Sequence, residues 1–304
     1  MDEFAEQVVD AINDLTGRHP GHRAAHAKGT LVAGSFIPAD AGLTTAPHMS
    51  GEPVAVTIRF SNGGGNPDLP DYAQEGRGMA IKFYLPDGSR TDVVALDQPC
   101  FFARTPEDFF AFTQVRKPDP ETGQPDMEKV GAYLGEHPEA VPAIQFFLQS
   151  KPPESYVTRA YNSIHSFRWT NADGVSRWVR YRFEPESGEH SLEPEEAKER
   201  GADYLQEDLA GRGGAAFRML VVIAEDGDPV DDPTVEWPAE RRRVEVGRLE
   251  LTGPETGREK DGDVLVFDPV RVTDGIETSD DPILHFRSRA YRVSVGRRTA
   301  AAPV

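Results

Sequence analysis

A succession of short strand-like runs, each closed by turn residues, fills most of this chain and limits the folds open to it. Residues 54–61 (VAVTIRFS), 79–86 (MAIKFYLP) and 90–96 (RTDVVAL) are rich in β-branched and aromatic types. Pro-Asp-Gly-Ser at 86–89 supplies the turn between the last two. Residues 165–170 (HSFRWT) and 175–183 (VSRWVRYRF) flank Asn-Ala-Asp-Gly, a hairpin signal. Residues 217–224, 244–251 and 263–269 continue the pattern. Helical spacing brackets it. Phe4, Val8, Ala11, Ile12 and Leu15 share one helix face, Gly17 ends that helix, and 282–298 opens as another. Thr105 and Pro106 suit a helix N-cap and first position, leading into Phe109, Phe110 and Phe112. A further helix start lies near Pro194. No repeat or long low-complexity linker divides the chain. The expectation is one α+β domain over 1–304, antiparallel strands forming a sheet or barrel between helices.

Charge and cysteine content exclude whole classes of function. The chain has 33 basic and 51 acidic residues, a net of −18, so it has no surplus of cations for nucleic-acid phosphates or an anionic membrane. Its single cysteine, Cys100, permits neither an internal disulfide nor a multi-cysteine metal site, and its apolar surroundings read as core. The N-terminus lacks a basic and apolar leader, and no run reaches the roughly 20 apolar residues of a membrane span. A cytoplasmic location is expected.

The chemistry-bearing residues fall in several ordered segments. Arg23-Ala24-Ala25-His26-Ala27-Lys28-Gly29 comes first, and a histidine here can move protons near neutral pH or merely cap a turn. Arg59-Phe60-Ser61 ends one strand and Arg77-Gly78-Met79-Ala80-Ile81-Lys82-Phe83-Tyr84 forms the next. Then come Gln98-Pro99-Cys100-Phe101-Phe102-Ala103-Arg104, Ile164-His165-Ser166-Phe167, Asp274-Gly275-Ile276-Glu277 and, near the end, Arg287-Ser288-Arg289-Ala290-Tyr291. In this order and spacing the segments resemble the heme catalase family over about residues 19–298. The form resembled is the minimal catalase-related peroxidase.

That resemblance implies an antiparallel barrel of about eight strands with heme b buried against it. Tyr291 is then the iron ligand, bound as phenolate. Arg287 stands one helical turn earlier to stabilise that charge, contacted by His165, and His165 in turn by Asp281. His26 becomes the residue that moves a proton between the peroxide oxygens, oriented by Ser61. Phe109 stacks near the heme face and Phe101 lines the pocket. Arg23, Arg59 and Arg298 pair with the propionates, with Arg297 as an alternative to Arg298.

The departures from the family pattern shape the expected activity. Leu96 falls where the family has a catalytic asparagine, and Asp97 beside it points the other way on an extended chain. Ala25 replaces the usual valine, and Glu75 stands for a channel aspartate. The chain ends soon after Tyr291, without the family's wrapping loop and helical domain, so bound NADPH is not expected. Less covering and an apolar contact at 96 suit a peroxidase with weak or no catalase activity. Its substrates are hydrogen peroxide or an organic hydroperoxide and a small organic reductant, uncharged or cationic to match the acidic chain. The alternatives are a lipid-hydroperoxide dehydratase or isomerase of the allene oxide synthase kind, and a non-catalytic heme binder. A homodimer is expected.

Overall fold

A computed structural model describes residues 2–259 and 263–300. Ten strands run β1 (Gly29–Pro38), β2 (Val54–Asn62), β3 (Arg77–Tyr84), β4 (Arg90–Leu96), β5 (Tyr161–Asn162), β6 (Phe167–Thr170), β7 (Ser176–Pro185), β8 (Ala216–Ile223), β9 (Arg243–Pro254) and β10 (Ile276–Thr278). The pairing order β7-β5-β4-β3-β2-β1-β9-β8 closes where β8 returns to β7, giving an eight-stranded antiparallel barrel. β6 and β10 extend the wall from β7. Closure leaves no free edge along the ring.

The helices are α1 (Glu3–Thr16), α2 (Pro106–Val115), α3 (Met127–Glu136), α4 (Val141–Gln149), α5 (Pro194–Glu199), α6 (Tyr204–Ala210) and α7 (Pro282–Ala300). α2 starts on the expected Thr105, which forms a capping box with Asp108. α7 continues past the expected helical start and runs unbroken to Ala300. No helix among the described residues is long and apolar enough to cross a membrane.

One expectation changes, and one strand lies where no sequence signal marked it. Residues 263–269 form no strand: the Leu265 carbonyl accepts from Arg23 and Arg298, and the Val266 carbonyl from Lys82 and Arg271. Side chains therefore take the acceptors that a neighbouring strand would use. Strand β1 carries too little β-branched or aromatic character to stand out, because close packing demands small residues there. A Cβ on Gly34 would lie 2.5 Å from the Glu250 carbonyl oxygen.

Strand alternation gives the wall two different faces. Val56, Ile58 and Phe60 of β2, Met79, Ile81 and Phe83 of β3, and Val93 and Ala95 of β4 join a buried cluster supplied by all eight ring strands. Only the barrel interior can gather such a set. Each large apolar side chain buried there contributes about 1.5–3 kcal/mol. The intervening residues, Arg59 and Ser61 of β2, Gly78 and Ala80 of β3, and Val94 and Leu96 of β4, therefore face outward. α1 and α7, packed through Val8 and Phe286, cover that outer face.

Candidate functional site

A cavity of about 860 Å³, its mouth included, lies between the outer face of β2–β4 and the two terminal helices. From α7 it receives Arg287, Ala290, Tyr291, Ser294 and Arg298, whose three- and four-residue spacing puts them on one face. Across from the helix it receives the segment 23–26, Arg59, Ser61, Gly78 and Leu96.

His26 is held by local backbone packing. Its φ is 54°, the left-handed region that a β-carbon disfavours. His26 N–H donates to Gly63 O at 3.1 Å and Ala27 N–H to Gly64 O at 2.9 Å, which fixes that conformation. The glycine run makes this approach possible, since a Cβ on Gly65 would meet Ala24 O at 2.2 Å. Lys28 anchors the segment from below, its ammonium bonded to Asp71 at 3.0 Å and Asp203 at 2.7 Å. A Cβ on Gly29 would strike the Arg59 guanidinium at 2.8 Å. The motif Ala27-Lys28-Gly29 thus seats the two residues around it.

The His26 ring lies over Gly78, with Nδ1 3.0 Å from Ser61 Oγ. Burial, followed by the positive charges of Arg59, Arg287 and Arg23, pushes its pKa down to about 3. His26 is therefore a neutral imidazole across the physiological range. Ser61, Gly78 and Leu96 sit directly opposite one another in register on β2, β3 and β4. Leu96 thus stands roughly 10 Å from Ser61, two strand spacings along the same face, with the glycine between them. Asp97 turns away, accepting from Arg77 N at 2.9 Å and Arg159 Nε at 3.2 Å.

Tyr291 ends a polar chain that starts on the buried pair Asp281 and His165. Asp281 caps α7, accepting from Ile283 N at 2.8 Å and Leu284 N at 3.2 Å. Its second oxygen lies 2.6 Å from His165 Nδ1. His165 Nε2 faces Arg287 Nη1 at 3.0 Å, and Arg287 Nε donates to Tyr291 Oη at 2.9 Å. A guanidinium can only donate, so Nε2 accepts and the His165 proton sits on Nδ1 toward Asp281. Burial pushes the His165 pKa down to about 4 despite the opposing pull of Asp281, keeping the ring neutral.

One end of the cavity is strongly cationic. Arg59 is 5% exposed. Among the described residues it makes one hydrogen bond, to Ala27 O at 3.3 Å. Burial and then the Arg23 charge push its pKa down to about 9. The same two causes lower that of Arg298. Sequence reasoning missed Glu259, whose carboxylate bridges Arg23 at 2.5 Å and Arg298 at 3.4 Å. Its loop has no periodic pattern that could have flagged it. Arg298 lines the cavity, whereas Arg297 turns to Asp10 at 2.8 Å.

Phe101 and Phe109 are not among the cavity-lining residues. They lie parallel with ring centres 6.1 Å apart, beside Phe102. Phe101 is drawn aside by its N–H bond to Pro233 O at 2.7 Å, and Phe109 packs on the α1–α7 cluster. Cys100 is buried, and desolvation pushes its thiol up to about 11, as expected of core. Glu75 packs over Gly64, and burial raises its pKa.

The sequence profile of the Catalase family matches residues 6–302. The chain is 43% identical to a catalase-related peroxidase of Mycolicibacterium paratuberculosis over 97% of its own length and 94% of the relative's. It is 36% identical to a catalase-related peroxidase of Synechococcus elongatus, covering 97% and 88%. A crystal structure of a fungal catalase superposes with a TM-score of 0.80 at 26% identity. That match covers 94% of this chain and 64% of the fungal one.

Proposed function

The chain belongs to the catalase family, and on that footing we propose that it is a heme-dependent peroxidase with little catalase activity. It reduces hydrogen peroxide or an organic hydroperoxide with a small organic electron donor. The observation that carries this reading is one cavity shared by Tyr291, at the end of the Asp281–His165–Arg287 chain, and the neutral His26–Ser61 pair.

The donor set suits heme b. A flat apolar ring needs a largely apolar cavity, and Val9, Ile12, Val94, Leu96 and Leu265 supply it. Two propionates need cations at the cavity wall: buried Arg59 makes a single hydrogen bond among the described residues, and half-buried Arg23 and Arg298 stand beside it, sharing Glu259. A phenolate ligand needs its charge stabilised, and Arg287 donates to Tyr291 Oη where that charge would sit. When bound, heme supplies the redox chemistry, taking two oxidising equivalents from peroxide and passing them to the donor.

The protein's residues manage protons and position. With its proton on Nδ1 toward Ser61 Oγ, His26 presents a lone pair on Nε2. It takes the proton from the inner peroxide oxygen and returns it to the departing one, so that water or an alcohol leaves. A pKa near 3 keeps it ready as base over the whole neutral range. Leu96 offers peroxide no hydrogen bond. A second peroxide acting as reductant therefore gains no polar contact there, which favours an organic donor over dismutation.

Two measurements test the reading. The expressed protein should show a Soret band that Tyr291→Phe loses or shifts strongly. It should also oxidise a dye donor with peroxide. Consumption of a fatty-acid hydroperoxide with no donor present would overturn the peroxidase reading.

A further inference from the structure

A second cavity, about 790 Å³ with its mouth, opens beside the first and shares Val9, Arg23, Ala24, Ser294 and Arg298 with it. Its walls carry the guanidinium groups of Arg18, Arg23, Arg297 and Arg298, with His19 and His22. The carboxylates that pair with these groups are Asp10, 3.4 Å from Arg18 and 2.8 Å from Arg297, and Glu259 on Arg23 and Arg298. Among the described residues four guanidiniums face two carboxylates; with Arg23 and Arg298 turned to the propionates, the surplus at the mouth is that of Arg18 and Arg297 over Asp10, in a protein whose net charge is −18. A positive recess on so acidic a surface concentrates field and draws anions toward it.

Glu259 shows that these walls pair with a carboxylate, since one of the chain's own sits on Arg23 and Arg298. The recess opens at the same end of the main cavity as the buried Arg59. An anion held there stands at the edge of whatever fills the main cavity.

We propose that this second cavity is the docking site of the electron donor, and that the donor is a small aromatic anion, a phenol carrying a carboxylate. This rests on the peroxidase reading and reverses the uncharged or cationic donor that net charge alone suggests. Arg18 and Arg297 hold the carboxylate near the mouth. The apolar wall of Val9 and Ala24 takes the ring. Two phenols each give up one electron and one proton and leave as phenoxyl radicals. The hydroperoxide accepts both electrons and both protons, and its O–O bond breaks to give an alcohol and water.

The test uses the holoprotein with ferulate and its uncharged methyl ester, which differ only at the carboxylate. At low salt ferulate should have a KM about tenfold below the ester's, with the gap closing as salt rises. In the double variant Arg18→Gln, Arg297→Gln the ferulate KM should rise to the ester's, while the Soret band and ester turnover stay unchanged. Calorimetric titration of ferulate into the resting protein should show binding that the double variant loses. Equal KM values for the two donors, or a gap the double variant leaves intact, would overturn the proposal. If neither donor is oxidised and peroxide is not consumed, it is the peroxidase reading that has failed, and the titration still decides the anion site.

Discussion

Gly78→Ala should disable the proton-moving histidine without touching it. The new Cβ would lie 2.9 Å from both Cε1 and Nδ1 of His26 and 3.0 Å from Ser61 Oγ, against an ordinary contact of at least 3.4 Å. The ring has to retreat by about half an ångström, which stretches the 3.0 Å bond to Ser61 to the limit of a hydrogen bond. It cannot easily swing elsewhere, because its backbone is fixed by the bonds to Gly63 and Gly64. The lost bond costs about 1 kcal/mol. Misplacing a proton-transfer group by up to an ångström costs as much as a factor of about 100 in rate. Stopped-flow measurement of the reaction with peroxide should therefore show a fall of about 10- to 100-fold, with Soret intensity and heme content kept. Gly76→Ala is the control, since its Cβ would meet nothing closer than 3.5 Å, and it should react at the parental rate. Parental reactivity in Gly78→Ala with heme in place would refute the role given to His26 and Ser61.

Leu96→Asn puts an amide on the face shared with Ser61 and should raise oxygen evolution from hydrogen peroxide by about tenfold or more. No change would mean that cavity access, not the missing amide, limits dismutation. His165→Ala leaves Arg287 and the buried Asp281 without their shared partner and should cost about 3 kcal/mol in urea unfolding. His165→Gln can donate to Asp281 and accept from Arg287, and should recover most of it. His48 and His165 are both buried, with pKa values pushed from 6.5 down to about 4 by burial. Between pH 6.5 and 4 the unfolded chain binds more protons, so stability falls as pH falls through that window and is level above it. At pH 5 each histidine should cost about 2 kcal/mol relative to pH 7. Chemical denaturation at the two pH values reads the loss directly.

Much of the architecture was legible because local chemistry and tertiary role coincide. The 90–96 strand, the capped helix after Thr105, and the hairpin on either side of Asn171–Gly174 lie where turn residues and periodicity put them. Residues 263–269 misled because an apolar run says nothing about what will accept from its carbonyls. Here distant arginines and a lysine decide it. α3 and α4 gave no clear period, being short, with Pro138 in the 3-10 turn between them and Pro142 in the first turn of α4. Phe101 and Phe109 could be read as pocket residues or as core, and only packing against each other and against α1 set them apart from the cavity.

The sequence by itself determined which residue types exist to do the chemistry: His26 before a lysine and glycine, Arg287 and Tyr291 one helical turn apart, Leu96 without a polar group. Those facts are local, because spacing on a helix or strand fixes neighbours within a few residues. Tertiary structure alone decided which of them share a space. Closing the barrel turns Phe60 inward and so turns Arg59 and Ser61 out, toward a helix more than 200 residues away. It also brings Glu259 onto Arg23 and Arg298, and gathers a positive recess on a chain whose net charge is negative. Net charge is a sum over the whole surface, whereas a ligand meets only the few charges within a Debye length of where it binds.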